Sequence, residues 1–365
     1  GTVLGGGRGG LTGSILGAYV LMIIVNILLV LNVSAYFSTI AESTILLLAV
    51  LSASMHRRSV LAQNIRQILA RLAAWREGIL PSQLALSPRR LTLAEIKRDP
   101  SPERPQSAMA PFRVRHAEII RFALPAYICF VAVLLVTQYV LGNALFNFNY
   151  YNSLIVLSSF LAILALGQGT VILTGGLDLS IPWTIGLCGI LLAGMVKGSD
   201  AALVYAVPIV LVIGALIGML NGVGIVALGL SPIVMTLAVN GLLQGAALLY
   251  SGGTPDGFSS PMLRAFMTTK ILGMTPVVPF LVLFVVFAVL LLGRTAFGRR
   301  VYAIGNSERA AELSGIPVKR VTIAVYMLSG FCAALVGILL TGFSGQASLG
   351  MGDEYLLPSI AVVVV

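Results

Sequence analysis

Residues 171–183 read VILTGGLDLSIPW, from Val171 to Trp183, and Asp178 within them is the only charge between Phe122 and Val196. Uncharged runs flank it on both sides, Phe122–Leu177 and Leu179–Val196. About 20 apolar residues cross a bilayer core, so the first run alone is long enough for a helical hairpin. The carboxylate therefore stands at membrane depth, where insertion costs about 2.5–3.5 kcal/mol. Two glycines and Pro182 also break the helix there, and irregular backbone facing lipid would leave peptide groups unpaired. The stretch must face protein or a water-filled path. Two roles follow and both can hold: Asp178 caps the next helix at the membrane edge by accepting from free N–H groups, or it touches a solute together with Thr174 and Ser180.

Outward from this stretch the same pattern continues. Hydrophobic residues make up 58% of the 365 and charged residues 10%, far from the composition of a soluble domain. Spans are predicted near 13–32, 36–55, 122–141, 153–173, 181–196, 203–221, 232–250, 277–293 and 321–342, with a tenth beginning near 357 and cut off. The fold class is an all-α polytopic membrane protein. Of 23 Lys and Arg, 13 lie from Arg57 to Arg121 and six from Arg294 to Arg320. Loops rich in these residues stay cytoplasmic. Six spans separate the two basic regions, and an even number puts both on one side.

The net charge of +10 thus marks topology and gives no reason to expect nucleic acid. Cys129, Cys188 and Cys332 fall inside apolar spans, as small packing residues do. His56 and His116 are the only histidines, too few for zinc chemistry or a Ser-His-Asp relay, so no metal or catalytic residue is assigned. The first apolar span lacks the basic n-region and cleavage site of a secretory signal. Between the spans, residues 56–121 form a linker. Leu61, Ile65, Ile68, Leu69 and Leu72 share one helical face with Arg66, Arg71 and Arg76 around it, a basic amphipathic helix that suits either an anionic membrane surface or the protein's own loops. Six prolines from Pro81 to Pro111 then break the chain.

Further motifs sort into architecture and function. Gly214, Gly218 and Gly222 recur every four residues, which lets a neighbouring backbone approach closely. Gly5, Gly7 and Gly10 match G-x-G-x-x-G, but no strand precedes them and no acid follows at the required distance, so the match is accidental. No lysine follows a glycine in a P-loop pattern, and any ATP that powers the protein is hydrolysed by another chain. In the basic stretch 293–320, Ser307 can cap a short helix, ERAAELSG, that ends at Gly315 before Pro317. Ala310, Ala311 and Leu313 give that helix contact points, which suits insertion into a groove on a partner. The alternative is a basic turn that only fixes topology, for which Arg299, Arg300, Lys319 and Arg320 would suffice. Asn240, Gln244 and Gln346 are uncharged hydrogen-bonding groups within the spans, fit for a polyhydroxylated solute or for interhelical bonds.

Read together, GTVILTGG, VILTGGLDLS, LSPIVMTLAVNGLLQGAALLYSGG, TAFGRRVYAIGNSERAAELSGIPVKRVTIAVYMLSG and DEYLLPSIAVVVV resemble the ribose/xylose-type permeases of bacterial ABC sugar importers. The resemblance covers residues 122–365. It implies ten spans with both ends cytoplasmic and a coupling helix at 305–315, where Gly305, Asn306, Glu308, Ala310, Ala311, Leu313, Ser314 and Gly315 would dock into the ATP-binding subunit. Pro182 and Trp183 depart from the small residues usual in the family, and Gln244 replaces a frequent arginine.

In such permeases an apolar segment like SIAVVVV runs into a glycine-rich turn and then the last two spans, and residues 1–55 look like that turn and those spans. The expected organisation is thus nine spans plus a truncated tenth in permuted order. Residues 1–55 close an upstream permease, 56–121 link, and 122–365 open a downstream one truncated in its eighth span. A tandem fusion is expected over a circular permutation or an assembly artefact. A fainter echo pairs VILTGGLDLSIPWTIG with the end of the chain joined to GTVLGGGRGGLTGSILG, as glycine-interrupted segments do in transporter halves.

The resemblance implies a permease subunit of an ATP-driven importer of a monosaccharide or polyol in the bacterial inner membrane, itself no enzyme and binding no cofactor, with ATP and Mg on the partner. Implied partners are the ATP-binding cassette subunit, a periplasmic sugar-binding protein, a second permease half and the bilayer. An ion- or proton-coupled secondary transporter, in which Asp178 titrates, and an inactive fragment are the alternatives.

Overall fold

The computed structural model describes residues 147–364 except 272, together with Leu135 and Gln138. The two N-terminal spans, the linker with its amphipathic helix, and Cys129 lie outside the described residues. Those described belong to one compact unit and contain ten α-helices: α1 (Phe148–Leu173), α2 (Ile181–Val196), α3 (Leu203–Leu228), α4 (Pro232–Ser251), α5 (Pro261–Thr268), α6 (Val277–Arg294), α7 (Ala296–Asn306), α8 (Glu308–Leu313), α9 (Val318–Ser344) and α10 (Leu356–Val364). Five of them, α1, α3, α4, α6 and α9, are long and apolar enough to cross a membrane. The expected boundaries hold closely for α2, α4 and α6, whereas α3 runs a further two turns to Leu228.

Burial separates the helices into two classes. Over its most apolar 18 residues α1 is almost wholly enclosed and α9 mostly so, while α3, α4 and α6 leave most of theirs exposed. Exposed leucines and valines such as Leu216, Leu242, Leu249 and Leu283 are the expected outer surface of a protein whose solvent is lipid. At the centre, α1 and α9 run antiparallel, with Gly167 against the Ser329 backbone and Phe160 edge-on to Phe343 at 5.9 Å. Cys188 and Cys332 are buried and free, in keeping with packing roles.

The four-residue glycine repeat builds the α3–α9 seam, the most extensive helix pairing among the described residues. Gly214 lies on Gly330 and Ala334, Gly218 on the Tyr326 carbonyl, and Gly222 on Ile323. As the α3 number rises the α9 number falls, so the helices are antiparallel. No side chain fits between them at Gly218, where an added Cβ would lie 2.0 Å from the Tyr326 oxygen.

Two interruptions shape the interior. α2 has 16 residues, about 24 Å of helix, and lies parallel to α9, with Ile185 beside Gly337 and Gly189 beside Thr341. It therefore begins at the level of the middle of α9. The second interruption was not marked in the sequence. At the end of α9, Gly345 accepts from Ser259 N at 2.8 Å, after which residues 346–352 turn back along α2. Met351 reaches Gly189, and Gly352 reaches Pro182 and Ile185. A short 3₁₀ turn (Asp353–Tyr355) then starts α10, which runs beside α1 through Val363 and Gly169. The start of α2 therefore lies inside the protein, with Ser180 and Ile181 buried.

The stretch 294–306, expected as loop, is helical. Thr295 accepts from Gly298 N at 3.3 Å as the cap of α7, and Gly298 sits directly on the Leu292 carbonyl, a turn that only glycine permits. Val301 and Ile304 on α7 pack with Ala311, Val318, Val321, Val325, Tyr326, Val171 and Leu173.

Candidate functional site

The break between α1 and α2 gathers buried polar groups from three helices. α1 ends at Leu173, and Thr174 turns its hydroxyl back onto the Val171 and Thr170 carbonyls at 2.9 and 3.4 Å. Its polar atom is thereby used within its own helix. Gly175 has φ +83°, a left-handed turn that glycine adopts without strain, and Gly176 lies under the Tyr326 hydroxyl. Asp178 follows, only 1% exposed. Its Oδ1 accepts from Ser180 N at 3.0 Å and Ser180 Oγ at 2.6 Å, and its Oδ2 accepts from Ser329 Oγ at 2.7 Å. Asn221 Nδ2 on α3 donates to Ser180 Oγ at 2.8 Å. One carboxylate therefore ties the start of α2 to α3 and α9.

This geometry revises the capping role. The N-cap of α2 is Ser180, two residues after Asp178, and Ser329 belongs to the middle of α9, well away from either end of that helix. Asp178 is an interior anchor rather than a cap at the membrane edge. Asn221, Ser329 and Tyr326 were not singled out from the sequence. The available signal was polarity: Asn221 stands in the uncharged run Ala201–Pro255 between Gly218 and Gly222, and Ser329 precedes Gly330.

Of the remaining path candidates, Asn240 is half-buried on α4 and accepts from Trp183 N at 3.4 Å, which brings it to the start of α2. Gln244 lies one turn further along α4 and is exposed. Gln346 is exposed at the far end of α9, bridged to Phe258, apart from the Asp178 group.

The stretch 305–315 forms a second feature. Ser307 Oγ accepts from Ala310 N at 3.3 Å and opens α8. Ser314 N bonds the Ala310 and Ala311 carbonyls, and Ile316 N returns to Ala311. Gly315, at φ +80°, makes the left-handed exit. The three expected contact points divide. Ala311 is buried against α7 and α9, so it seats α8 on its own chain and offers no surface to a partner. Ala310, Glu308, Asn306 and Ser314 are exposed, Gly305 is half-buried, and Leu313 is 82% exposed. Arg309, Lys319 and Arg320 are exposed around it. Among the described residues no group of His, Cys, Asp and Glu is arranged to hold a metal.

Residues 150–365 match the family model described as the permease component of branched-chain amino acid transport systems. Among curated proteins, the chain is 36% identical over 216 residues to the autoinducer 2 import system permease protein LsrD of Yersinia enterocolitica, covering 56% of this chain and 63% of that protein. It is 35% identical over 216 residues to its namesake in Photorhabdus temperata and 36% over 215 residues to that of Salmonella typhimurium, with the same coverage. The chain spans less than two thirds of the length of these relatives. No solved structure matches.

Proposed function

We propose, for a chain that belongs to this family of ABC-importer permease components, that it forms part of the path of an ATP-driven importer of a small polyhydroxylated solute. The cargo in the relatives' name, autoinducer 2, is the first to test, ahead of ribose and xylose. The protein is a transport subunit and no enzyme. A periplasmic binding protein delivers the solute, and a separate ATPase with ATP and Mg drives the cycle at the cytoplasmic face of the bacterial inner membrane. A second permease half completes the path. Gln244 and half-buried Asn240, with Gly241 and Gly245, make a polar, small-residue stripe on an otherwise apolar α4, which suits a face that lines such a path.

One observation carries this reading: a six-residue helix, closed at both ends by its own caps and seated by Ala311, presents Leu313 almost fully exposed among basic residues. An isolated leucine raised on a rigid turn is what a groove on a partner grips. ATP binding and release then bias two membrane states through contacts made in one and not in the other. The test is Leu313→Arg, reconstituted with the ATPase subunit. ATP hydrolysis stimulated by the permease should fall about tenfold or more, with the permease still folded and inserted. Unchanged stimulation, or uptake that follows the membrane potential and ignores ATP, contradicts the proposal. Ala311 is the wrong position for this test, because substitution there unseats α8 from its own chain.

A further inference from the structure

Among the described residues the Asp178 carboxylate takes hydrogen bonds only from Ser180 and Ser329, and no Lys or Arg pairs with it. The Ser180 main chain can only donate to Oδ1. The Ser180 hydroxyl, which receives from Asn221 Nδ2, and the Ser329 hydroxyl each have a proton to give the carboxylate. An ionised carboxylate offers about four acceptor sites, and three are used. A lone buried charge in an apolar interior is strongly unfavourable unless something of opposite sign meets it.

Oxygens without partners surround the same break. Asn221 Oδ1 is buried and unbonded although its Nδ2 is held by Ser180. The Tyr326 hydroxyl is also buried and unbonded, and it overhangs the break, 2.5 Å from where a Cβ on Gly176 would stand. Gln168, three residues before Val171 and hence on the same face of α1, leaves both amide atoms unpartnered, and Val171 faces Gly176. Unsatisfied groups gathered at one buried place call for a bound species.

We propose that the α1–α2 break holds a small monovalent cation of the Na⁺ class, ligated by the Asp178 carboxylate, Asn221 Oδ1 and the Tyr326 hydroxyl. An all-oxygen donor set suits a hard cation and not a transition metal. A single carboxylate cancels one positive charge, whereas a divalent ion would leave a net charge in the interior. The ion is a resident structural charge that holds the start of α2 to α3 and α9, and the inference stands apart from what the protein transports.

The test uses the full chain in lipid nanodiscs. Thermal unfolding is followed in NaCl, LiCl, KCl and choline chloride at equal ionic strength and fixed pH. The midpoint should rise by about 3 °C or more from choline to the preferred alkali cation, in a saturable way. Asp178→Asn keeps the shape and should lose the shift. Tyr326→Phe removes a single oxygen, folds more safely, and should weaken the apparent cation affinity about tenfold. Equal midpoints in all four salts, a shift that survives in both variants, or a midpoint that responds to pH but to no alkali cation would each overturn the assignment, the last in favour of a protonated Asp178.

Discussion

Asp178→Leu should remove the folded protein from the membrane. The substitution strips the acceptor from Ser180 N, Ser180 Oγ and Ser329 Oγ together. Each buried donor left without a partner costs about 1–3 kcal/mol, and three of them compare with the whole stability of a typical domain. The cost cannot be relieved by water from outside, because Asp178, Ser180, Asn221 and Ser329 are all enclosed. The measurement is the yield of monodisperse protein extracted from membranes. It should fall to near background for Asp178→Leu and recover substantially for Asp178→Asn, whose carboxamide oxygen still accepts from Ser180 N. Wild-type yield from the leucine variant would show that the network does not hold α2.

An effect of similar size is expected at Gly218→Val. A Cβ there would meet the Tyr326 carbonyl oxygen at 2.0 Å and its carbon at 2.7 Å, so the helices must part. Overpacking typically costs about 1–3 kcal/mol, and here the clash is with rigid backbone in the middle of the largest helix pairing among the described residues. Separation would also pull Asn221, one turn along α3, away from Ser180. The thermal midpoint should drop by many degrees or the protein should fail to accumulate. Gly293→Ala on α6, where nothing lies within 4 Å of the added methyl, serves as the control and should be neutral or slightly stabilising. Equal behaviour of the two variants would contradict the packing described.

Much of the fold is legible in the sequence because the charges fall where helices end. Lys197, Arg294 and the Lys319/Arg320 pair bound α2, α6 and α9, and Pro232 opens α4. The glycine repeat on α3 announces a close neighbour, although no single sequence says which helix supplies it. The cap at Ser307 and exit at Gly315 are local signals, and they place α8 within a residue or two. What escapes has physical causes. α7 carries Gly298 and Gly305 in a short polar segment, and its helix depends on packing of Val301 and Ile304 against α9. The inward turn at 346–352 is a path of backbone beside α2 that no periodicity encodes. The distant members of the network, Asn221 bonded to Ser180 from 41 residues away and Ser329 bonded to Asp178 from 151 residues away, are brought together only by the fold. Ala311 and Leu313 are both apolar residues on one short helix, and the sequence does not reveal that one is its root and the other its tip.

The organisation of the first 146 residues, including the tandem arrangement expected from the N-terminal spans, lies outside the described residues. The proposed grip of the ATPase subunit falls on α8. Its most direct measurement places a single cysteine at Leu313→Cys in a chain lacking Cys129, Cys188 and Cys332, assembled with the ATPase subunit in membranes. The expected result is a cross-link between residue 313 and the ATPase whose yield changes between the nucleotide-free and ATP-bound states. Labelling of that cysteine by an impermeant reagent from the periplasmic side, or no cross-link in any nucleotide state, would contradict it.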